Sequence, residues 1–346
     1  MIVKREEKNG ILILYVKADK TDAEIEGMMG TAIKAGSIPL ILHQDADVYV
    51  VEDGEDNEIK KGGEDGEDGG DNDGKPTEER TGKIATRSIA ANKKPQLLLR
   101  FRKGIIPSEI SSQFYDAVIG LAHQKTSNRG KFQGQRGKYI MSNIFGFMDG
   151  WSANQKRIFK QLGMAIPKPD IRPSRFNIQT PDKFKLTLPF LRLVDKYYRE
   201  LVPDRYSAQK KKAVKCGDYA IPGTAFTTVT LNLNHMSRLH TDKGDDEEGF
   251  GNLSVIEHGA PYKGGETCFP KYGIGVDVRT GDIAFMNVHE AHCNTPIEYL
   301  GADSQRLSIV CYLRKKVWSS LQGMTRKNIK KHNQTIKKYY ASLGKN

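Results

Sequence analysis

The chain has 346 residues, 38% of them hydrophobic, enough for one large core with an appendage or for two domains. Its 54 basic and 42 acidic side chains leave a net charge of +12, a surplus that attracts phosphate backbones or an anionic membrane surface without choosing DNA over RNA. Four cysteines without a C-x-x-C pair, an N-terminus without an apolar signal region and the lack of any membrane-length apolar run exclude a secreted disulfide scaffold and a spanning protein, so a soluble, intracellular chain is expected.

Residues 1–51 read as a small α/β accessory module, with strands at 11–16, 39–42 and 48–51 and a helix at 21–35 stopped by Gly36. His43, Asp45 and Asp47 are better explained by a polar turn between strands than by a metal site. Residues 52–94 read as a disordered, acidic, Gly-rich linker. From Glu52 to Glu79 there are thirteen acidic and three basic side chains and almost no apolar ones, too little to order a segment. A solvated spacer is the simpler account of it; a nucleic-acid mimic competing for a basic groove is the other. Without that run the chain holds 51 basic against 29 acidic side chains, or +22.

A catalytic portion is placed at 95–318. A strand at 97–101 leads to a helix at 107–124 with Ile110, Phe114, Val118 and Leu121 on its inner stripe. The Gly-rich run Asn128 to Tyr139 carries Arg129, Lys131, Arg136 and Lys138, and Phe132 could stack on a base. Substrate contact and ordinary surface loop both stay open there. Ser152 and Gln155 form a capping box for a helix at 152–163, and Phe145 and Phe147 read as core. A helix at 188–201 turns Leu191, Val194, Tyr198 and Leu201 inward. The lysines at 210, 211, 212 and 215 read as a solvated face, in preference to a phosphate contact. Short strands at 226–234, 252–258, 266–269, 275–279, 282–287 and 305–313, punctuated by glycines, predict a double-stranded β-helix, a jelly roll, within an α+β chain. A basic helix at 319–346 either grips phosphates or packs through Leu321, Ile329, Ile336 and Tyr340.

Three groups in the jelly roll point to a metal. His240 and Asp242 stand at i and i+2 and so share a face, and His292 follows fifty-two residues later. Two imidazoles and one carboxylate on one face of an octahedral ion are the set expected of non-haem Fe(II) oxygenases. In Gln305 to Leu313, Leu307, Ile309, Cys311 and Leu313 alternate with Arg306 and Ser308, which share the opposite face. A guanidinium takes a carboxylate bidentately and a hydroxyl adds a donor, so an acid held at one end by the metal and at the other by Arg306 and Ser308 resembles 2-oxoglutarate. His289 competes with His292 for the third position. Asp245 can orient a ligand or simply sit in an acidic loop, and Asp246, Glu247 and Glu248 read as a solvated turn. His235 and His258 read as strand histidines, and Cys293 as a small buried side chain.

The runs T-V-T-L-N-L-N-H-M-S-R-L-H-T-D-K-G-D (Thr228 to Asp245), G-F-G-N-L-S-V-I (Gly249 to Ile256), G-I-G-V-D-V-R-T-G-D (Gly273 to Asp282), V-H-E-A-H-C-N-T-P (Val288 to Pro296) and R-L-S-I-V-C-Y-L-R (Arg306 to Arg314) resemble the TET/base-J-binding-protein dioxygenases. The resemblance covers roughly 95–315 and is sharpest after Thr228. It implies Fe(II), O2 and 2-oxoglutarate, with ascorbate as the co-substrate of an algal branch, and hydroxylation of the methyl group of 5-methylcytosine or thymine in nucleic acid. It implies His292, directly before C-N-T-P, as the distal ligand. DNA is then the partner, single-stranded or with its base flipped from the duplex, and a eukaryotic host would place the chain in the nucleus. Asn232 and Asn234 carry amides able to read a base edge. An oxygenase of the same barrel acting on a protein or small molecule, and a non-enzymatic nucleic-acid-binding module, are the alternatives.

Overall fold

A computed structural model describes residues 1–52, 94–126 and 139–343. Strand β1 (Ile2–Lys8) turns through Asn9 and Gly10 into β2 (Ile11–Val16), where every second side chain is buried. Helix α1 (Asp22–Met28), closed by a Thr21–Glu24 capping box, is followed by β3 (Leu40–Leu42) and β4 (Ala46–Val50). Next come β5 (Gln96–Arg102), α2 (Ser108–Ala122), β6 (Ser142–Asp149), α3 (Ala153–Gln161), β7 (Ile171–Pro173) and α4 (Arg175–Gln179). Two longer helices, α5 (Pro181–Leu201) and α6 (Pro203–Cys216), each open on a proline, which has no N–H to leave unbonded in a first turn. The remaining strands are β8 (Thr228–Leu233), β9 (Gly251–His258), β10 (Tyr262–Gly264), β11 (Thr267–Phe269), β12 (Ile274–Val276), β13 (Ile283–Met286), β14 (Cys293–Asn294), β15 (Ile297–Tyr299) and β16 (Gln305–Tyr312). Helices α7 (Lys315–Leu321) and α8 (Arg326–Leu343) follow.

Ten strands form one sheet in the order β1-β2-β4-β5-β13-β9-β16-β8-β6-β7, and four form a second in the order β14-β11-β12-β3. Period-2 alternation sorts the large sheet's side chains between two cores. Leu307, Ile309 and Cys311 of β16 join Val229 and Leu231 of β8 beneath Phe114, Phe190, Leu191, Val194 and Tyr198 of the helices. On the opposite face Leu253, Val255, Ala284 and Met286 meet Phe269, Ile274 and Val276 of the small sheet. Helices cover one face and a second sheet covers the other. This is the α+β jelly roll expected, and each strand foreseen between 226 and 313 is present with its ends shifted by at most three residues.

The N-terminal segment is not a separate module. Strand β4 pairs in parallel with β2 and antiparallel with β5, while β3 pairs in parallel with β12, so residues 1–51 extend both sheets of the barrel. Asp47 lies in no turn. It is buried on β4, paired with Arg100 through both carboxylate oxygens at 2.9 Å and with Arg102 at 2.8 Å. Helix α1 stops at Met28, before Gly30 at φ +78°, where an extended helix would lose backbone freedom at every glycine. In place of the single basic helix expected at 319–346 there are two helices, Lys315–Leu321 and Arg326–Leu343, broken at Gly323 with φ +78°. Ile329, Ile336, Tyr339 and Tyr340 of α8 are buried, so packing accounts for that helix while its lysines stay exposed. The acidic run after Glu52, Arg129 and Phe132 lie outside the described residues.

Removing the Asp47 carboxylate strands two guanidiniums, one of them nearly fully buried. Asp47→Ala is therefore expected to cost about 3 kcal/mol of folding stability, read by urea unfolding; a loss under about 0.5 kcal/mol, the size of an exposed pair, would contradict that placement.

Candidate metal centre and co-substrate pocket

After β8 the chain loops back so that His240 and His292 face one another across an isolated antiparallel bridge. The His240 N–H donates to the His292 carbonyl at 3.0 Å, and the His292 N–H returns the bond at 2.9 Å. Two residues on, the Asp242 N–H donates to the Val288 carbonyl at 3.0 Å. With the two loops zipped together, His240 Nε2 lies 3.5 Å from one Asp242 oxygen and His292 Nε2 lies 3.7 Å from the other. One ligand atom from each of the three falls within 4.8 Å of the others.

The remaining ring nitrogens decide the tautomers. His240 Nδ1 sits 2.7 Å from the Arg238 carbonyl and His292 Nδ1 sits 2.9 Å from the Glu290 carbonyl. A carbonyl only accepts, so each Nδ1 carries the proton and each Nε2 turns a lone pair to the shared point. Burial, with the His240 ring beside it, pushes the His292 imidazole down to about 4, which keeps it in the neutral form a metal takes. This donor set fits a divalent ion with open positions for further ligands. His289 is not part of it, because its Nε2 lies 3.1 Å from the Asp246 carbonyl.

The loop carrying Asp242 is bolted to the helices. Lys212 of α6 reaches Asp246 and Glu248, each at 2.5 Å, and Glu247 pairs with Lys315. The Asp246 N–H donates to the Leu313 carbonyl at 2.9 Å, and the Phe250 N–H donates to the Tyr198 hydroxyl at 2.8 Å. Lys212 is thus no part of a solvated face, and Asp246 is buried rather than in a solvated turn. Asp246 has left water, and an opposite charge offsets that cost. A hint was available: Gln209, Ala213 and Cys216 mark the inward stripe of α6, and Lys212 borders it. Asp245 is buried at the same turn, its N–H 3.3 Å from the Asp242 carbonyl and its backbone bridged to Arg314.

Arg306 and Ser308 both project from β16 into the space between the sheets, opposite Leu307 and Ile309. Arg306 is 2% exposed; one terminal nitrogen donates to the Gly265 carbonyl at 2.9 Å, and its Nε has no partner. No described carboxylate pairs with it. A buried guanidinium left in that state favours an incoming anion. Asn232, opposite Ser308 in register, accepts from the Ser142 hydroxyl at 2.6 Å. Asn234 uses both ends of its amide inside the chain, accepting from the Arg306 N–H at 2.8 Å and donating to the Ser304 carbonyl at 3.1 Å. It pins the start of β16 and is not free to read a base edge. His258 ends β9 stacked on Tyr115, and His235 is buried in the loop after β8, not on a strand.

His240→Ala and Asp242→Ala are each expected to abolish uptake of one Ni(II) or Co(II) per chain in isothermal titration, with the melting temperature changed by about 4 °C or less. Lys212→Met removes a brace without touching a ligand, so its expected effect is a metal affinity lower by about tenfold; unchanged affinity would leave the brace without a role at the centre.

Residues 162–315 match the family model Tet_JBP, described as the oxygenase domain of the 2OGFeDO superfamily. A bifunctional helicase and thymine dioxygenase, JBP2 of Leishmania tarentolae, is 35% identical over 139 residues, 40% of this chain and 12% of that protein. Thymine dioxygenase JBP1 of Leishmania infantum is 29% identical over 145 residues, 41% of this chain and 17% of that protein. The chain therefore matches under a fifth of the length of these relatives. Among solved structures, NgTET1 in complex with 5mC DNA aligns with 69% of this chain and 81% of its own, at 14% identity and a TM-score of 0.46. His240, Asp242, His292, Arg306 and Ser308 all lie inside the stretch, residues 162–315, that is similar to the Tet/JBP oxygenase domain of the 2OGFeDO superfamily.

Proposed function

We propose that the chain is an Fe(II)- and 2-oxoglutarate-dependent dioxygenase that oxidises the 5-methyl group of 5-methylcytosine or thymine in DNA. The observation that carries this reading is the convergence of His240, Asp242 and His292 in a barrel that also buries Arg306 without an anionic partner among the described residues. The three ligands would hold iron, and iron with 2-oxoglutarate and O2 supplies oxidation of an unactivated methyl carbon.

The protein's own part is binding, orientation and exclusion of water. Arg306 pairs with the distal carboxylate of the co-substrate, and Ser308, two residues along the same face, adds a hydroxyl. Leu253, Val255 and Val310 keep the interior between them apolar, which strengthens every charge contact made there. Ascorbate has no distal carboxylate to meet Arg306, so the buried guanidinium favours the dicarboxylate. The thymine dioxygenase relatives and the charge of +22 outside the acidic run support DNA as the substrate. The 5-methyl group of a duplex base lies at the edge of the major groove, where an enclosed metal centre cannot reach it, so the base must leave the stack, or the substrate must be a single strand.

Nucleoside mass spectrometry after incubating methylated and unmethylated DNA with Fe(II), O2 and either 2-oxoglutarate or ascorbate tests the reading. Oxidised methylpyrimidine is expected with 2-oxoglutarate, coupled to succinate release, and none with His240→Ala. Equal turnover of a free nucleoside or a peptide would remove DNA as the substrate.

A further inference from the structure

Among the described residues, Arg306 Nε and the Tyr262 hydroxyl are buried polar atoms without a hydrogen-bond partner, and the backbone at Gly265, just after the strand that carries Tyr262, lies against Arg306. Tyr262 is 5% exposed on β10, directly opposite Tyr299 of β15, in a two-stranded ribbon apart from both main sheets. The ribbon runs straight into Gly265, whose carbonyl accepts from Arg306 at 2.9 Å. Gly265 has φ +79°, and a Cβ there would stand 2.9 Å from Arg306 Nε and 3.1 Å from its Cδ, so only glycine lets the ribbon lie against the guanidinium.

The other neighbour of Tyr262 is already neutralised. Arg279 covers the ring with its guanidinium carbon 4.3 Å from the centroid, and pairs with Asp277 at 2.6 Å and Glu257 at 3.3 Å. Among the described residues Arg306 has no such counter-charge, yet its positive charge reaches the Tyr262 hydroxyl. Burial outweighs both guanidiniums and raises the hydroxyl above its ordinary pKa, so it remains protonated and can donate. A phenolic donor with no acceptor and a cation with no anion are both satisfied by one ligand, an anion with two oxygens.

We infer that Tyr262 is a co-substrate-binding residue whose hydroxyl donates to the same distal carboxylate that Arg306 pairs with, the β10–β15 ribbon forming the wall at that end of the pocket. The inference rests on the reading of Arg306 as a carboxylate-binding residue. It makes Tyr262 part of what selects a 2-oxo dicarboxylic acid over a 2-oxo acid that ends in a methyl group.

The test is calorimetric binding of 2-oxoglutarate and of 2-oxobutyrate, which has the same 2-oxo acid end and no distal carboxylate, to the full chain loaded with redox-inert Ni(II). Tyr262→Phe is expected to weaken 2-oxoglutarate by about tenfold, as for a lost hydrogen bond to a charged group, and to leave 2-oxobutyrate unchanged. Its melting temperature without ligand is expected to match that of the unaltered chain, because the hydroxyl has no partner to lose. Unchanged 2-oxoglutarate affinity in Tyr262→Phe beside a clear loss in Arg306→Gln would overturn the role of Tyr262 and leave the pocket standing. An equal loss for both acids, or a fall of several degrees in the unliganded melting temperature, would assign the hydroxyl a structural role instead. Failure of the unaltered chain to bind 2-oxoglutarate would sink the pocket reading and this inference with it.

Discussion

Two backbone hydrogen bonds, exchanged between His240 and His292, hold together the centre on which the rest of the chemistry depends. They join a loop leaving the large sheet to a loop entering the small one, so the ligands meet because the two sheets face one another. Neither imidazole relies on the other side chain for its orientation. Each is turned by the carbonyl two residues earlier in its own loop, at Arg238 and at Glu290. The ligand geometry is thus mostly main-chain geometry, and side chains nearby can vary more freely than the path of the loops.

Three of the buried charges are handled in different ways. Asp47 is matched by two arginines across β4 and β5. Asp246 is matched by Lys212 from a helix. Among the described residues Arg306 meets no anion, only a carbonyl. The first two are structural because their charge is balanced within the chain. The third is stable only at a cost that a bound carboxylate removes, which is why a lone buried guanidinium is more informative about function than any of the balanced pairs.

Much of the barrel was legible in the sequence, because alternation over eight residues in β16 already separates Leu307 and Ile309 from Arg306 and Ser308. The triad was legible in part, since the i, i+2 spacing of His240 and Asp242 pairs them, although the three residues meet on loops joined by an isolated bridge. What stayed hidden depends on partners distant in the chain. Nothing local in residues 40–42 says that they pair with 274–276, and nothing near Asp246 names Lys212. Strand β10 has three residues, too few to show a period, so Tyr262 could not be placed beside Arg306 by pattern alone. The break before α8 was signalled by Gly323, but the lysines on either side read as one continuous basic helix.

The parallel pairing of β3 with β12 sets the order in which the molecule can be finished. As the polypeptide leaves the ribosome, Leu40 must wait for about 230 more residues before Ile274 exists to receive it. Closing so long a loop early is entropically unfavourable, and barrels dominated by distant pairings form slowly. The small sheet, and with it the second wall of the cavity, assembles only after Cys293 and Asn294 have been made. Capture of an ion by all three ligands must likewise wait for His292, fifty residues after Asp242 has been made.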